Sequence, residues 1–219
     1  MVKKNILVIG LKTFGLSIVK QLFKYNCDVL AIDKNMDRVE EADEFATHAV
    51  QIDPRDLEKL ESLSLGSFDI AIITLDNIEE SIMAALLFQE KKIPEIIVKA
   101  NSEMHKKILE KMQIDKIILP ENEMGIKLAK AIMNESVIDA INFSDDYSIV
   151  EINALNKWIG KSLKKLNLRE EYGINVLCVK NSSKELQISP SLDYIIEEKD
   201  ILVAIAENEK LNSTGLLNF

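Results

Sequence analysis

The chain has 219 residues, 47% of them hydrophobic, and its 36 acidic side chains outnumber the 27 basic ones to give a net charge of −9. This length allows one large domain or two small ones, and the acidic balance disfavours non-specific nucleic-acid binding, which needs a basic face. No apolar run reaches the roughly 18–20 residues that span a bilayer, and Cys27 and Cys178 have no metal-binding spacing, so we expect a cytoplasmic protein with two free thiols.

Short strands rich in Ile, Val and Ala alternate with helical patterns up to about residue 133. The predicted strands cover residues 6–9, 28–33, 47–51, 69–74, 95–99 and 116–119. Because they lack a regular polar alternation, they fit a parallel sheet that is covered on both faces. Helical patterns lie at 14–25, at 54–62 with Pro54 in the first turn, at 77–89 after the cap Asn77, and after the caps Ser102 and Asn122. This alternation predicts an α/β fold with a Rossmann-like, doubly wound parallel sheet.

The last third of the chain has a different pattern. Residues 135–143 look helical, and after them come predicted strands at 147–153, 174–180, 185–189 and 201–206 and a short helix near 161–166. We therefore expect a Rossmann-like nucleotide-binding domain over residues 1–134, a connecting helix and linker over 135–144, and a small α+β ligand-binding domain over 145–219.

The first βα turn carries a modified dinucleotide-binding motif. Gly10 and Gly15 occupy the first and third glycine positions, and Asp33 ends the second strand, where a carboxylate accepts hydrogen bonds from ribose hydroxyls. Lys12 stands at the middle position, where glycine lets the backbone approach a pyrophosphate. Either the Cβ of Lys12 blocks that approach, so that the turn binds nothing, or its ammonium binds phosphate itself. The sequence is compatible with both.

Three charged residues lie at the carboxyl edge of the predicted sheet, where open α/β sheets bind ligands. Asp53 either contacts a ligand there or caps the helix that starts at Pro54. Lys99 either binds phosphate or is a solvated strand end. Glu121 either coordinates a cation beside a phosphate or only favours a helix N-terminus by its charge.

The chain as a whole resembles the RCK proteins, the regulators of potassium conductance in Ktr/Trk-type potassium uptake systems. The resemblance lies in VIGLKTFG with VLAID (8–15 and 29–33), in ATHAV (46–50), in IVKA, KILEK and IILPENEMG (97–100, 107–111 and 117–125), and in residues 160–179. It implies a stand-alone regulatory subunit that catalyses no reaction. Such subunits form dimers and an octameric ring under an integral membrane potassium channel, peripheral to the inner face of the membrane.

The resemblance also implies a site for ATP/ADP or NAD(H) in the first domain. The matching nucleotide-contacting positions are Gly10, Phe14, Gly15, Asp33, Asp53 and Lys99. Glu121 matches a position near the γ-phosphate and a divalent cation, and is therefore the candidate metal ligand. Lys12 and Thr13 belong to the same site but depart from the family pattern, because they replace a glycine and a phosphate-binding arginine. They weaken the phosphate end of the site.

The second domain resembles a cyclic-di-AMP receptor that holds its ligand across a two-fold dimer interface. Arg169 matches a phosphate-contacting position and Asn175 one that reads adenine, which suits a guanidinium and an amide. The remaining matching positions are Leu163, Leu166, Ile174, Pro190 and Asn167, the last where an aspartate often stands. The alternative is that Arg169 only forms a surface ion pair with Glu170 or Glu171.

These observations predict a gating subunit of a potassium uptake channel, controlled by nucleotide at the first domain, by cyclic-di-AMP at the second, or by both. The alternative is an NAD(P)-dependent oxidoreductase on the same fold, although the second domain offers no obvious proton donor. A transcriptional regulator is disfavoured, because the chain has no basic helix-turn-helix pattern and an acidic overall charge. No nucleic-acid partner is expected.

Overall fold

The computed structural model describes residues 4–133, 137–142, 144, 146–183 and 185–214. The chain divides into two compact units, one ending at Asn122 and the other beginning at Glu123. Across these described residues, no helix combines the length and the apolar character needed to cross a membrane.

The first unit contains a parallel six-stranded sheet. Its strands are β1 (Asn5–Ile9), β2 (Asp28–Asp33), β3 (His48–Gln51), β4 (Ile70–Ile73), β5 (Glu95–Lys99) and β6 (Lys116–Ile118). They lie in the order β3-β2-β1-β4-β5-β6, so the strand order reverses between β1 and β4. Doubly wound sheets bind ligands outside the carboxyl ends of the strands at this reversal. The predicted Rossmann-like fold is confirmed.

Hydrophobic cores cover both faces of this sheet, as the missing polar alternation predicted. Along β1, Leu7 and Ile9 pack into one core, whereas Ile6 and Val8 pack into the other. All four side chains are buried. The sheet is thereby a rigid support for the loops at its carboxyl edge.

Five helices belong wholly to this unit: α1 (Thr13–Lys24), α2 (Met36–Asp43), α3 (Leu57–Glu61), α4 (Ile78–Glu90) and α5 (Glu103–Lys111). A sixth, α6 (Pro120–Met133), begins in this unit and continues into the second. The side chains of Asn77 and Ser102 cap α4 and α5 by accepting from the backbone N–H groups of Glu80 and His105, as predicted.

Two other predicted helix starts are wrong. Asp56, not Pro54, precedes α3, and its side chain accepts a hydrogen bond from the Lys59 N–H. The α6 helix begins at Pro120, so Asn122 lies inside it instead of capping it. Proline suits this first helical position because its fixed φ matches the helix and its missing N–H needs no partner there.

The second unit contains a five-stranded antiparallel sheet in the order β10-β9-β11-β8-β7. The strands are β7 (Val137–Asn142), β8 (Tyr147–Asn153), β9 (Ile174–Lys180), β10 (Leu186–Ile188) and β11 (Ile201–Glu207), and the helices are α7 (Leu163–Leu166), α8 (Leu168–Tyr172) and α9 (Asn208–Ser213). Its core contains Trp158, which is buried and meets the Tyr172 ring edge to face at 5.4 Å. The predicted α+β class of this unit is confirmed.

The predicted connecting helix over 135–143 is wrong. Residues Val137–Asn142 form β7, which pairs antiparallel with β8. A short run rich in Val and Ile is compatible with the period of a helix or of a strand. Here the hydrogen-bonded pairing with β8 determines that the segment is a strand. Residues 135, 136 and 143 lie outside the described residues. The division into domains over 1–134 and 145–219 stays a prediction.

Candidate functional site

The turn between β1 and α1 needs glycine at positions 10 and 15, because a side chain at either position would collide with neighbouring backbone. Gly10 has a φ of +94°, and a Cβ on it would lie 2.9 Å from the carbonyl carbon of Thr74. A Cβ on Gly15 would lie 1.9 Å from the carbonyl oxygen of Gly10, because the first turn of α1 packs directly on the loop. The first and third glycines of the motif are therefore needed by the fold whether or not a ligand binds.

Lys12 stands at the middle glycine position without straining the backbone. Its φ of −67° and ψ of −176° are extended values that any L-residue adopts. The lysine therefore changes the surface that a ligand meets and leaves the turn intact. Its ammonium forms an ion pair with the carboxylate of Asp76, a residue in the loop between β4 and α4.

The N-terminus of α1 offers free backbone donors. Thr13, Phe14 and Gly15 form its first turn, which contains no acidic residue and receives no side-chain cap. Side chains do cap the N-termini of α2, α3, α4 and α5. Uncapped N–H groups at a helix N-terminus bind anions, so the end of α1 keeps an anion-binding capacity.

Asp33 ties this turn to the end of β2. The residue is only 3% exposed. Its two carboxylate oxygens accept from the backbone N–H groups of Leu11 at 2.6 Å and Asn35 at 2.8 Å, and the Arg38 guanidinium lies 3.5 Å from one of them. An ionised carboxylate has about four acceptor positions. The two backbone hydrogen bonds take two of these positions, so acceptor capacity remains for a ligand hydroxyl.

Three of the residues selected in the sequence meet in a single chain of charges, and Asp76 joins them. The ammonium of Lys99 lies 3.3 Å from Asp76 Oδ1 and 2.7 Å from Glu121 Oε1, while Lys12 pairs with Asp76 Oδ2. The sequence reasoning missed Asp76. We call Lys12, Asp76, Lys99 and Glu121 the charge chain.

Pairing within the charge chain favours the ionised forms of Asp76, Lys99 and Glu121. The hydrogen bond from Lys12 lowers the pKa of Asp76, and the hydrogen bond from Lys99 lowers that of Glu121. Burial pulls the pKa of Lys99 down, but its bonds to Glu121 and Asp76 outweigh this effect and raise the pKa overall. All three groups therefore carry their charge at neutral pH.

Asp53 stands apart from the charge chain. Its carboxylate is exposed and accepts from the backbone N–H of Arg55 at 3.0 Å. It does not cap α3, since Asp56 does. The sequence reasoning also missed Glu80, whose buried carboxylate oxygen accepts from Lys34 at 2.9 Å and from Arg55 at 2.8 Å. An acidic residue in the first turn of a helix is usually solvated, so no local signal marks it.

The second unit has a cavity of about 400 Å³ beside α7, α8 and β9. Six of the seven residues that the resemblance selected line it: Leu163, Asn167, Arg169, Ile174, Asn175 and Pro190. The seventh, Leu166, packs against the core instead. Asn167 has a φ of 44° and links α7 to α8, and asparagine tolerates this left-handed conformation better than most residues. The fold thus gathers an apolar floor and polar groups around one cavity.

Arg169 is exposed and lines this cavity. Lys164 also lines the cavity and adds a second positive charge. In the part of the chain that the structure describes, no ion pair joins Arg169 to Glu170 or Glu171. The guanidinium is therefore available to an anionic ligand.

Comparisons with known proteins agree with this architecture. The TrkA-N domain family matches residues 6–120 and the TrkA-C domain family matches residues 147–215. Ktr system potassium uptake protein A of Bacillus subtilis is 39% identical over 209 residues, which cover 95% of this chain and 94% of that protein. Ktr system potassium uptake protein C of the same organism is 38% identical over 204 residues, which cover 93% and 92%.

A solved structure shares the fold over the full length. The GsuK RCK domain superposes with a TM-score of 0.67 at 16% identity, covering 100% of this chain and 48% of that one. This likeness shows the fold, and the two matched domains together with the full-length relatives show the family. The chain therefore belongs to the RCK family of Ktr/Trk-type potassium uptake regulators, as its sequence motifs indicated.

Proposed function

We propose that this protein is the regulatory subunit of a potassium uptake channel and catalyses no reaction of its own. The observation that carries the proposal is the match to Ktr proteins over nearly the whole length of both chains, at 39% identity. The subunit would bind an integral membrane Ktr/Trk-type channel subunit at the inner face of the cell membrane. It would act there as a ring of dimers, up to an octamer.

The first unit binds ATP/ADP or NAD(H) in this proposal. The uncapped end of α1 supports a phosphate there, and the remaining acceptor capacity of Asp33 supports a ribose hydroxyl. Glu121, 69% exposed, would turn toward a divalent cation only after leaving Lys99. Nucleotide binding would act by favouring one conformation of the ring over another.

The second unit binds cyclic-di-AMP at its cavity, shared between two copies of the chain. Support comes from the positive charges of Arg169 and Lys164 for the phosphates, from the amide of Asn175 for an adenine edge, and from the aliphatic lining for the base faces. Differential affinity for two ring conformations would couple this ligand to transport.

Binding and transport are measured together to test the proposal. At about 100 times its dissociation constant, cyclic-di-AMP should stabilise the protein by roughly 2.7 kcal/mol in thermal unfolding. In Arg169→Ala the shift should disappear, because a charge-assisted contact to phosphate is lost. The control Lys161→Ala removes an exposed positive charge outside the cavity and should keep the shift.

Transport is read in potassium-uptake-deficient cells that express a Ktr-type membrane subunit. Adding the chain should change the potassium uptake rate, and raising cyclic-di-AMP should alter it in wild type but not in Arg169→Ala. If the potassium uptake rate is the same with and without the chain, the regulatory role is refuted. Equal ligand responses in wild type and Arg169→Ala would refute only the cyclic-di-AMP site.

A further inference from the structure

The charge chain lies where proteins of this fold place a pyrophosphate. Lys12 is the residue that precedes the first turn of α1, and the pyrophosphate of a dinucleotide sits at that helix end. Two ammonium groups, those of Lys12 and Lys99, alternate with two carboxylates, those of Asp76 and Glu121. Their charges sum to zero, so the positive groups that face an incoming phosphate are already neutralised.

Asp76 is held firmly in this position. The side-chain amide of Asn101 donates to the carbonyl oxygens of Leu75 at 3.0 Å and of Asp76 at 2.7 Å. Immediately after Asp76, Asn77 caps α4 and fixes the chain from the other side. The Asp76 carboxylate therefore cannot leave by a shift of its loop without breaking these bonds.

Its two lysine partners differ in freedom. The side chain of Lys99 is 9% exposed and is fixed between two carboxylates, whereas that of Lys12 is 54% exposed. If Lys12 turns toward a ligand phosphate, it leaves Asp76, and the remaining Lys99, Asp76 and Glu121 together carry one net negative charge beside the end of α1. Like charges so close repel each other, and the repulsion grows with the charge on the ligand.

We propose that Asp76 is a specificity-determining residue that makes the first unit discriminate between ligands by their phosphate charge. Its charge weakens the binding of di- and triphosphates relative to adenosine and its monophosphate, so ADP and ATP bind less tightly than they would with a neutral side chain at this position. The inference rests on the proposed nucleotide role of the first unit. It adds a residue from the β4–α4 loop that the glycine motif does not contain.

The test compares the affinities of four ligands for wild type and for a variant in which Asp76 loses its charge. Dissociation constants of adenosine, AMP, ADP and ATP are measured by calorimetry in EDTA with wild type and Asp76→Asn, both carrying Arg169→Ala to silence the second unit. Asp76→Asn should strengthen ADP binding about 10-fold, or about 1.4 kcal/mol, and ATP binding by at least as much. Adenosine should change by less than about 2-fold, since it carries no phosphate.

A matched control separates local from overall charge. Glu79→Gln removes an exposed carboxylate three residues away in α4, which takes no part in the charge chain, and should change ADP affinity by less than about 2-fold. Far-UV circular dichroism checks that each variant folds. Should Asp76→Asn not fold, Asp76→Ser replaces it with the same expectation.

The possible outcomes are distinct. Stronger binding of ADP and ATP, but not of adenosine, in Asp76→Asn alone supports the inference. If wild type and Asp76→Asn bind ATP with equal affinity, the inference is overturned but the nucleotide site stands. The same holds if Glu79→Gln strengthens ATP and ADP binding as much as Asp76→Asn does. Weaker ATP binding in Asp76→Asn also overturns it, because Asp76 would then be positioning Lys12 for phosphate. Failure of all four ligands with both proteins refutes the nucleotide role and the inference together.

Discussion

Asp33→Asn tests whether the buried carboxylate at the end of β2 holds the first turn of the fold. One oxygen of Asp33 accepts from the Leu11 N–H at 2.6 Å and the other from the Asn35 N–H at 2.8 Å. Asparagine has the same shape but a single acceptor oxygen. Its amide NH₂ would face one of these two N–H donors, which would then lose its partner.

The expected loss follows from those two bonds. A hydrogen bond to a charged group contributes roughly 1.5–3 kcal/mol, and an unpaired buried donor costs roughly 1–3 kcal/mol. One bond is lost and the other becomes neutral, so we expect the first unit to lose about 2–4 kcal/mol of unfolding free energy. For a unit of this size that corresponds to a melting temperature lower by roughly 10 °C.

Thermal unfolding is followed by far-UV circular dichroism and by tryptophan fluorescence. Trp158 is the single tryptophan of the chain and lies in the second unit, so its fluorescence is an internal reference. Asp43→Asn is the control, because it removes an exposed carboxylate from α2 with the same change in charge. It should stay within about 0.5 kcal/mol of wild type. If Asp33→Asn unfolds together with this control, the carboxylate is not what holds the turn.

Two further stability predictions concern glycine packing and alkaline pH. Gly15→Ala should destabilise the protein by about 2–3 kcal/mol or more in urea unfolding, because its Cβ meets the Gly10 carbonyl. Gly125→Ala lies in open space within α6 and should stabilise the protein by roughly 0.5–1 kcal/mol. If both variants changed stability in the same direction, the packing argument would be contradicted. Burial and the hydrogen bond to Asp200 raise the pKa of Tyr194 from 10 to about 12. The folded state therefore favours the neutral phenol. The stability that this preference provides is present below pH 10 and is lost as the pH rises toward 12. Urea unfolding monitored by Trp158 fluorescence should show this alkaline loss in wild type, and a loss of equal size in Tyr194→Phe would exclude Tyr194 as its cause.

The sheet of the first unit was predictable because both of its faces are buried. The central strands β1 and β4 are almost entirely buried apolar runs between polar loops, and such runs are visible in the sequence without knowledge of the partners. The α2 helix was missed for the opposite reason. Only Val39 and Ala42 are buried in Met36–Asp43, so its apolar stripe is too thin to show a period. The β7 strand was misread as a helix because pairing with β8, not its own pattern, determines it.

The candidate sites divide in the same way. Gly10, Gly15 and Asp33 were predictable because one local motif joins them across a βαβ unit. Asp76 and Glu80 were not, because their partners lie far away in sequence: 64 residues separate Asp76 from Lys12, and 46 separate Glu80 from Lys34. Side-chain pairs at such separations follow from the strand order, which one sequence predicts only as a class of topology.

The three glycine positions of the motif differ in what constrains them. The fold requires glycine at the first and third positions, whereas only ligand binding favours glycine at the middle one. At Gly10 and Gly15 a Cβ would strike neighbouring backbone, so the turn itself excludes larger residues. At Lys12 the backbone is extended and any residue fits. A lysine there would ordinarily add a phosphate-attracting charge to the anion-binding end of α1, but Asp76 neutralises it. The broken motif therefore implies an intact turn with altered ligand chemistry, and Asp76 is the residue through which that chemistry is best tested.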